Sequence, residues 1–238
     1  MAFPTDNLDS YTSGDSLVGL NGGTGWSGAW AGKAGTGDAI VRNTQSDTAS
    51  NSFSINFDTA GNGNSEGVIR SFPNTTVGTF SFAFRTDGNE DRVRIYNGTT
   101  EKIRLRLSNI VRQHDGSLGS DRTLVSGLST SAWHTITVEI DQSAQPGKAR
   151  VKVDSTQYDW YDMVDNSGSN STLNLLNVGG FFNIDYPQDF YWDSFSGGSA
   201  GPTSSIKSIN GLAIASVKSV NGLAIASVKS FNGLSNVS

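Results

Sequence analysis

Residues 131–154 read SAWHTITVEIDQSAQPGKARVKVD. In the first half Ile136, Val138 and Ile140 alternate with Thr137, Glu139 and Asp141; in the second, Val151 and Val153 alternate with Arg150, Lys152 and Asp154. Successive side chains of a strand point to opposite faces, so each run has one side to bury and one to leave wet. Gln145-Pro146-Gly147-Lys148 between them is turn chemistry. Proline presets φ there and glycine admits the left-handed region. Two amphipathic strands joined by a short turn predict an antiparallel pair. The same period spreads outward. Phe53, Ile55 and Phe57 alternate, as do Phe80, Phe82 and Phe84, Val93 and Ile95, and Ile103, Leu105 and Leu107. Turn-rich stretches such as AGNGNSEG, DGNED, YNGTT and DNSGSN separate these runs. No stretch carries an apolar stripe at helical spacing. About a dozen strands are expected in 1–198.

Composition agrees. The 238 residues include 28 glycines and 5 prolines, with 35% hydrophobic and 10% aromatic residues. Many short strands on glycine turns fit this balance, and 12 Phe, 5 Trp and 6 Tyr exclude a disordered chain. A net charge of −5 argues against a nucleic-acid partner. Without cysteine there are no disulfides, no thiolate zinc site and no thiol nucleophile. The opening MAFPTDNLDSY has no basic region followed by an apolar run, so no signal peptide is expected, and no segment has the length of a membrane span. The Gly/Ser/Thr/Asn-rich texture is that of extracellular modules. A virion or extracellular-surface location reconciles the two readings.

Three stretches together, LDSYTSGDSLVGLNGGTGWSGAW at 8–30, the pair at 131–154 and DFYWDSFSGG at 189–198, resemble concanavalin A-like jelly rolls of the laminin-G-like group. The resemblance covers about 3–198 as a pattern of strands. It implies an all-β jelly-roll β-sandwich whose centre is the tryptophan-led pair Trp133–Asp141 and Ala149–Asp154. It also implies that the terminal strands meet, with Leu8–Tyr11 beside Phe190–Phe195.

The composition shifts at SGGSAGPTSS. The expected organisation is a jelly-roll domain over 1–198, a linker at 199–205 and a repeat tail over 206–238. The tail reads IKSINGLAIAS, VKSVNGLAIAS, VKSFNGLS, with lysines at 207, 218 and 229 and Asn-Gly in every repeat. Asn-Gly between apolar runs is the preferred two-residue hairpin turn, which predicts a C-terminal β-hairpin repeat. A turn at Asn221-Gly222 pairs Val220 with Leu223, Lys218 with Ile225 and Leu212 with Phe231. A small meander with apolar residues on both faces cannot bury itself. Leu212, Ile214, Val220, Leu223, Ile225 and Phe231 are therefore the expected assembly residues, toward a homo-oligomer or other virion proteins. The repeats also resemble C-terminal tails of some tailed-phage virion proteins.

Catalytic signatures are weak. Enzymes that this fold resembles carry Glu-x-Asp-x-x-Glu on one strand, because retaining glycosidases need two close carboxylates. Here Glu139 and Asp141 are followed by Ala144. The simpler reading of Glu139 and Asp141 is the wet face of a strand. His114 and His134 have no zinc-ligand spacing and no Gly-x-Ser-x-Gly elbow to serve, and GNGNSEG at 61–67 lacks the Lys-Ser/Thr of a phosphate loop. Calcium is the one cofactor suggested, through Asp6, Asp9 and Asp193 where the terminal strands meet, or through Asp159, Asp162 and Asp165. For a glycan, Asp159, Trp160, Tyr161 and Asp162 have the needed mixture of stacking rings and hydrogen-bonding carboxylates. Phe181–Tyr186, Trp26 and Trp30 are further candidates. Arg92, Arg94, Arg104 and Arg106 alternate with apolar residues, so they line an outer sheet face with Arg85 and Arg112 near. They suit acidic sugars or a neighbour's carboxylates, although cross-strand ion pairing is the plainer reading.

The expected function is a non-enzymatic structural or adhesion protein, a phage decoration, fibre or receptor-binding subunit that meets cell-surface glycan. The alternatives are a secreted carbohydrate-binding module and a glycoside hydrolase or lyase with an unrecognised site.

Overall fold

The computed structural model describes residues 3–32, 38–47, 51–56, 67–86, 88, 90–142, 146–165, 172–179 and 190–198, and in the tail 208–209, 212–213, 219–220, 223–224, 230–231 and 234–235. The chain divides into two compact units, Met1–Ser199 and Ala200–Ser238.

The first unit is two antiparallel sheets, and among its described residues there is no helix. One sheet runs, edge to edge, β1 (Ala31–Gly32), β4 (Val68–Thr75), β14 (Leu173–Val178), β6 (Asp91–Asn97), β7 (Thr100–Leu107), β8 (Ile110–Asp115) and β9 (Ser120–Ser126). The other runs β12 (Thr156–Gln157), β11 (Lys148–Val153), β10 (His134–Asp141), β5 (Val77–Arg85), β15 (Tyr191–Gly198), β3 (Ser52–Asn56) and β2 (Asp38–Arg42). A short β13 (Tyr161–Asp162) also pairs with β11, making this sheet eight-stranded.

The tryptophan-led pair becomes β10 and β11. Ile136 faces Val153, Val138 faces Val151 and Ile140 faces Ala149. On its other edge β10 meets β5, which sets Ile136 beside Phe82 and Val138 beside Phe80. All of these side chains are buried. The opposite sheet supplies Val93, Ile95, Leu105 and Val178 to the same core. Burying one such side chain stabilises the fold by about 1.5–3 kcal/mol, so the alternation is an energetic instruction as well as a geometric one. Phe57 lies outside the described residues.

The terminal segments meet, but one register away from the expected place. Asp6, and not Leu8–Tyr11, bridges Phe195. The chain turns away at once, with Leu8 at φ 63 and Tyr11 N–H donating to the Leu8 carbonyl at 3.1 Å. Glycine is required at Gly197, where an added Cβ would overlap the Phe3 carbonyl. β15 also bulges between Asp193 and Ser196, where Ser194 takes φ 52.

In the second unit the described residues form three hairpins, each around one Asn-Gly. β16 (Ser208–Ile209) pairs with β17 (Leu212–Ala213), β18 (Ser219–Val220) with β19 (Leu223–Ala224), and β20 (Ser230–Phe231) with β21 (Leu234–Ser235). Val220 faces Leu223 as the turn geometry requires. Among the described residues each hairpin is its own two-stranded sheet, so Leu212 pairs with Ile209 and not with Phe231. Ile214 and Ile225 lie outside the described residues, as do the three tail lysines.

Candidate functional site

The outer face of the seven-stranded sheet gathers the charged residues of β6, β7 and β8. Register puts Arg94 opposite Arg104, and Arg92 opposite Arg106, which in turn faces Arg112. The Leu105–Gln113 pair carries the first row on to His114, which pairs with Asp121 on β9. At the other end of that row Asn177 on β14 pairs with Arg94. The result is a guanidinium row whose Arg94–Asn177 end is buried, while Arg92, Arg104, Arg106 and Arg112 are part-exposed and the His114 imidazole closes the other end. Their partners, Val93, Ile95, Leu105 and Val111, point inward and are buried.

Carboxylates organise this face. Glu90 accepts from Arg106 Nε at 2.5 Å and from Arg112 at 3.0 Å. Glu101 accepts from Arg104 Nε at 2.5 Å and lies 3.5 Å from Arg94. Asp121 takes Arg106 at 3.0 Å and sits 2.9 Å from His114 Nδ1. Arg94 also donates to Asn177 Oδ1 at 3.0 Å. The plainer reading of these arginines as cross-strand ion pairs is what the geometry contains. Yet positive charge is in excess. Burial, and then the neighbouring Arg94, Arg106 and Arg104, lower the Arg92 pKa to about 10. Burial works against Arg106, but hydrogen bonds to Glu90 and Asp121 outweigh it and hold its pKa above the usual value. Burial would raise Asp121, yet hydrogen bonds from His114 and Arg106 leave it lowered. Tyr96, on the same side of β6, is raised by burial first. Beside it the face opens into a cleft of about 450 Å³ lined by Ser27, Ser71, Pro73, Asn74, Asn174 and Leu175.

The other candidates lie elsewhere. Asp6 is buried and committed to donors. Its Oδ2 takes Arg70 at 2.5 Å, Tyr11 Oη at 2.7 Å and Trp30 Nε1 at 3.1 Å, while Oδ1 takes the Leu8 N–H at 3.0 Å. Asp9 accepts from Asn7 at 2.8 Å, and Asp193 from the Asp47 N–H at 2.8 Å. Asp165 is 3.0 Å from Lys102 and Asp162 3.7 Å from Lys148. Among the described residues no group of three acidic or histidine side chains is arranged to hold a metal ion. Trp30 is fully buried, and Arg70 stacks over it and over Trp26. Trp160 is exposed beside Arg150, and Tyr161 lies under Arg122. Phe181–Tyr186 lie outside the described residues. Glu139 is paired with Arg150 at 2.6 Å. His134 is tethered to Asp154 at 3.0 Å and to the Ser129 carbonyl at 3.1 Å.

Sequence reasoning found the arginines and missed Asn177, Tyr96 and the cleft. No local pattern marks Asn177; it reaches Arg94 only because β14 inserts between β4 and β6. Arg70 was equally hidden, an arginine in an inward position beside Leu176.

No family model matches the sequence. No curated protein matches it either. Solved structures do resemble the fold. An endo-β-1,4-glucuronan lyase from the fungus Trichoderma reesei superimposes with a TM-score of 0.53 at 13% identity, covering 77% of this chain and 94% of that one. An alginate lyase in complex with an alginate tetrasaccharide gives 0.51 at 9% identity, covering 83% and 96%. A sialidase gives 0.52 at 11% identity over 72% of this chain, which spans only 17% of that protein. These neighbours correct the expectation of a non-enzymatic protein, because two of the three are polysaccharide lyases. The missing glycosidase carboxylates, on which that expectation stood, are no criterion for eliminating enzymes. The chain is an all-β, jelly-roll-like sandwich of the concanavalin-like kind, whose structural neighbours are carbohydrate-active proteins.

Proposed function

We propose that this protein engages an acidic polysaccharide along the outer face of its seven-stranded sheet. The observation that carries the reading is the alignment of the part-exposed Arg92, Arg106 and Arg112 across adjacent strands, with Arg104 beside them over the buried Arg94. Neighbouring strands are about 4.8 Å apart, so the guanidiniums recur at close intervals across the sheet. A polymer with a carboxylate on each sugar meets such a row repeatedly, and guanidinium is the side chain that grips carboxylate in bidentate fashion. Burial does most to lower Arg92, and the positive neighbours that add to it favour an anion there. The amide- and hydroxyl-lined cleft beside Tyr96 offers partners for sugar hydroxyls. Two structural neighbours are named for glucuronan and alginate, both uronic acid polymers, which supports the substrate class.

Isothermal titration of the full chain with polyglucuronate and alginate, beside neutral dextran, tests this. Binding to the polyuronates is expected to weaken as salt rises and to be lost in an Arg104→Ala/Arg106→Ala variant, whose side chains are part-exposed. Equal binding of dextran, or an unaffected double variant, would sink the proposal.

A second reading, elimination chemistry, is favoured by His114 at the end of the guanidinium row. With Nδ1 engaged by Asp121, Nε2 is the nitrogen through which His114 meets a substrate proton. An arginine neutralises the uronate, and the base takes the proton from C5. The electron pair forms C4=C5, the C4–oxygen bond breaks, and water protonates the leaving oxygen. The unsaturated product absorbs in the ultraviolet. In this reading His114→Ala abolishes that signal and leaves binding intact.

The same proposal places the protein on a virion or other assembled surface, with 206–238 as its assembly element. The repeats and their resemblance to phage tails support that placement.

A further inference from the structure

We infer that Trp160 is the platform of a second carbohydrate site, one that takes a neutral pyranose. It lies at the border of the other sheet, on the segment between β12 and β13, both of which pair with β11. Among the described residues the exposed large hydrophobics are Val18, Val77, Leu118 and Trp160, so Trp160 is the aromatic one. At 38% exposed it keeps ring surface open to solvent.

The ring is held in place before any ligand arrives. The Arg150 guanidinium lies 4.7 Å from its centroid. Arg150 is itself fixed by Glu139, which accepts from Nε at 2.7 Å and lies 2.6 Å from a terminal nitrogen. Backbone bonds fix the segment on both sides, with Tyr158 N–H on the Val151 carbonyl at 2.9 Å and Gly116 N–H on the Asp162 carbonyl at 2.9 Å. The close approach at Gly116, where an added Cβ would overlap the Met163 carbonyl, keeps this segment against the turn between β8 and β9. A ring that is already immobilised loses little entropy on stacking.

The surroundings select the occupant. Asp159, next to Trp160 in the chain, is exposed, as are Thr156 and Gln157 on β12, and they supply acceptors and donors for hydroxyls. Arg150 is matched by Glu139 and Lys148 by Asp162, while Lys152, which lies opposite Gln157, offsets Asp159, so the rim carries no net charge. A rim without net charge gives a uronate no unpaired cation to meet and suits an uncharged sugar, whose apolar C–H face stacks on the indole. A protein partner is the poorer fit, since a stable interface buries about 800 Å² on each side and the open apolar surface here is one ring.

The test is an NMR titration of the indole N–H of Trp160 in the full chain, assigned by its loss in Trp160→Ala. The probes are cello-, xylo- and manno-oligosaccharides, with polyglucuronate alongside. At least one neutral series is expected to shift the signal and bind the parent about ten-fold more tightly than Trp160→Ala. The Arg104→Ala/Arg106→Ala variant, on the other face, is expected to leave that binding unchanged, so this site and the acidic one stand or fall separately. A signal moved by none of the neutral sugars, or by polyglucuronate alone, overturns the inference. So does a signal that shifts with protein concentration in the absence of sugar, which would assign the ring to a contact between copies.

Discussion

The buried ion pair of Asp6 and Arg70 decides how the N-terminal segment is held. The side chains are 1% and 0% exposed, and Arg70 donates further to the Gly28 and Gly22 carbonyls and to Asn21. Removing one partner strands a charge inside the sandwich, and Arg70→Ala is expected to cost about 3–5 kcal/mol in chemical denaturation. Tyr11 joins the cluster; burial, and then its hydrogen bond to Asp6, push its hydroxyl pKa up to about 12. Two other acids give the fold a pH dependence. Burial raises Asp91 to about 7 and Asp193 to about 6, against an ordinary 3.8. Above 3.8 the unfolded chain has released protons that the folded chain still holds. Stability therefore falls as pH rises toward 7 through these groups. Urea midpoints measured across this range are expected to decline in the parent and to decline less in Asp91→Asn. A flat parent profile would remove the assignment.

At the scale of the element, strand β10 shows what alternation means in energy. Val138 is fully buried between Phe80 and Val151, whereas Glu139 is 27% exposed and faces Arg150. Val138→Ala opens a cavity and is expected to cost about 2 kcal/mol. Glu139→Gln, its immediate neighbour, is expected to cost less than about 1 kcal/mol. Denaturant midpoints of the two variants check this, and equal losses would mean the strand is not one-sided. The arginine face follows the same rule on β6 and β7. Its residues were legible at 92, 94, 104 and 106 because apolar neighbours fix which side they take. Their reading as plain ion pairs was incomplete because the sequence does not display Asn177 or the cleft beside Leu175.

At the scale of the whole molecule the sandwich and the tail are separate compact units. Among the described residues the tail's paired arms are two residues long, and an isolated hairpin is at best marginal in water. Light scattering of the full chain beside a chain ending at Gly198 is expected to give an oligomer and a monomer, with the shorter chain keeping its cooperative melt. Two monomers would remove assembly as the tail's role, and loss of the melt would remove the independence of the sandwich.

The sequence by itself determined the strands, the faces they bury and the Asn-Gly turns of the tail, because these follow from a two-residue pleat and from local turn chemistry. It also determined that arginines would share one side of a hairpin. Only the tertiary structure decided which strands became neighbours. That choice brings Asn177 to Arg94 across 83 residues and Arg70 to Asp6 across 64. It also buries Trp30 while leaving Trp160 in the open. Pairing between distant strands depends on how the whole core packs and how its loops close, and no local period encodes either.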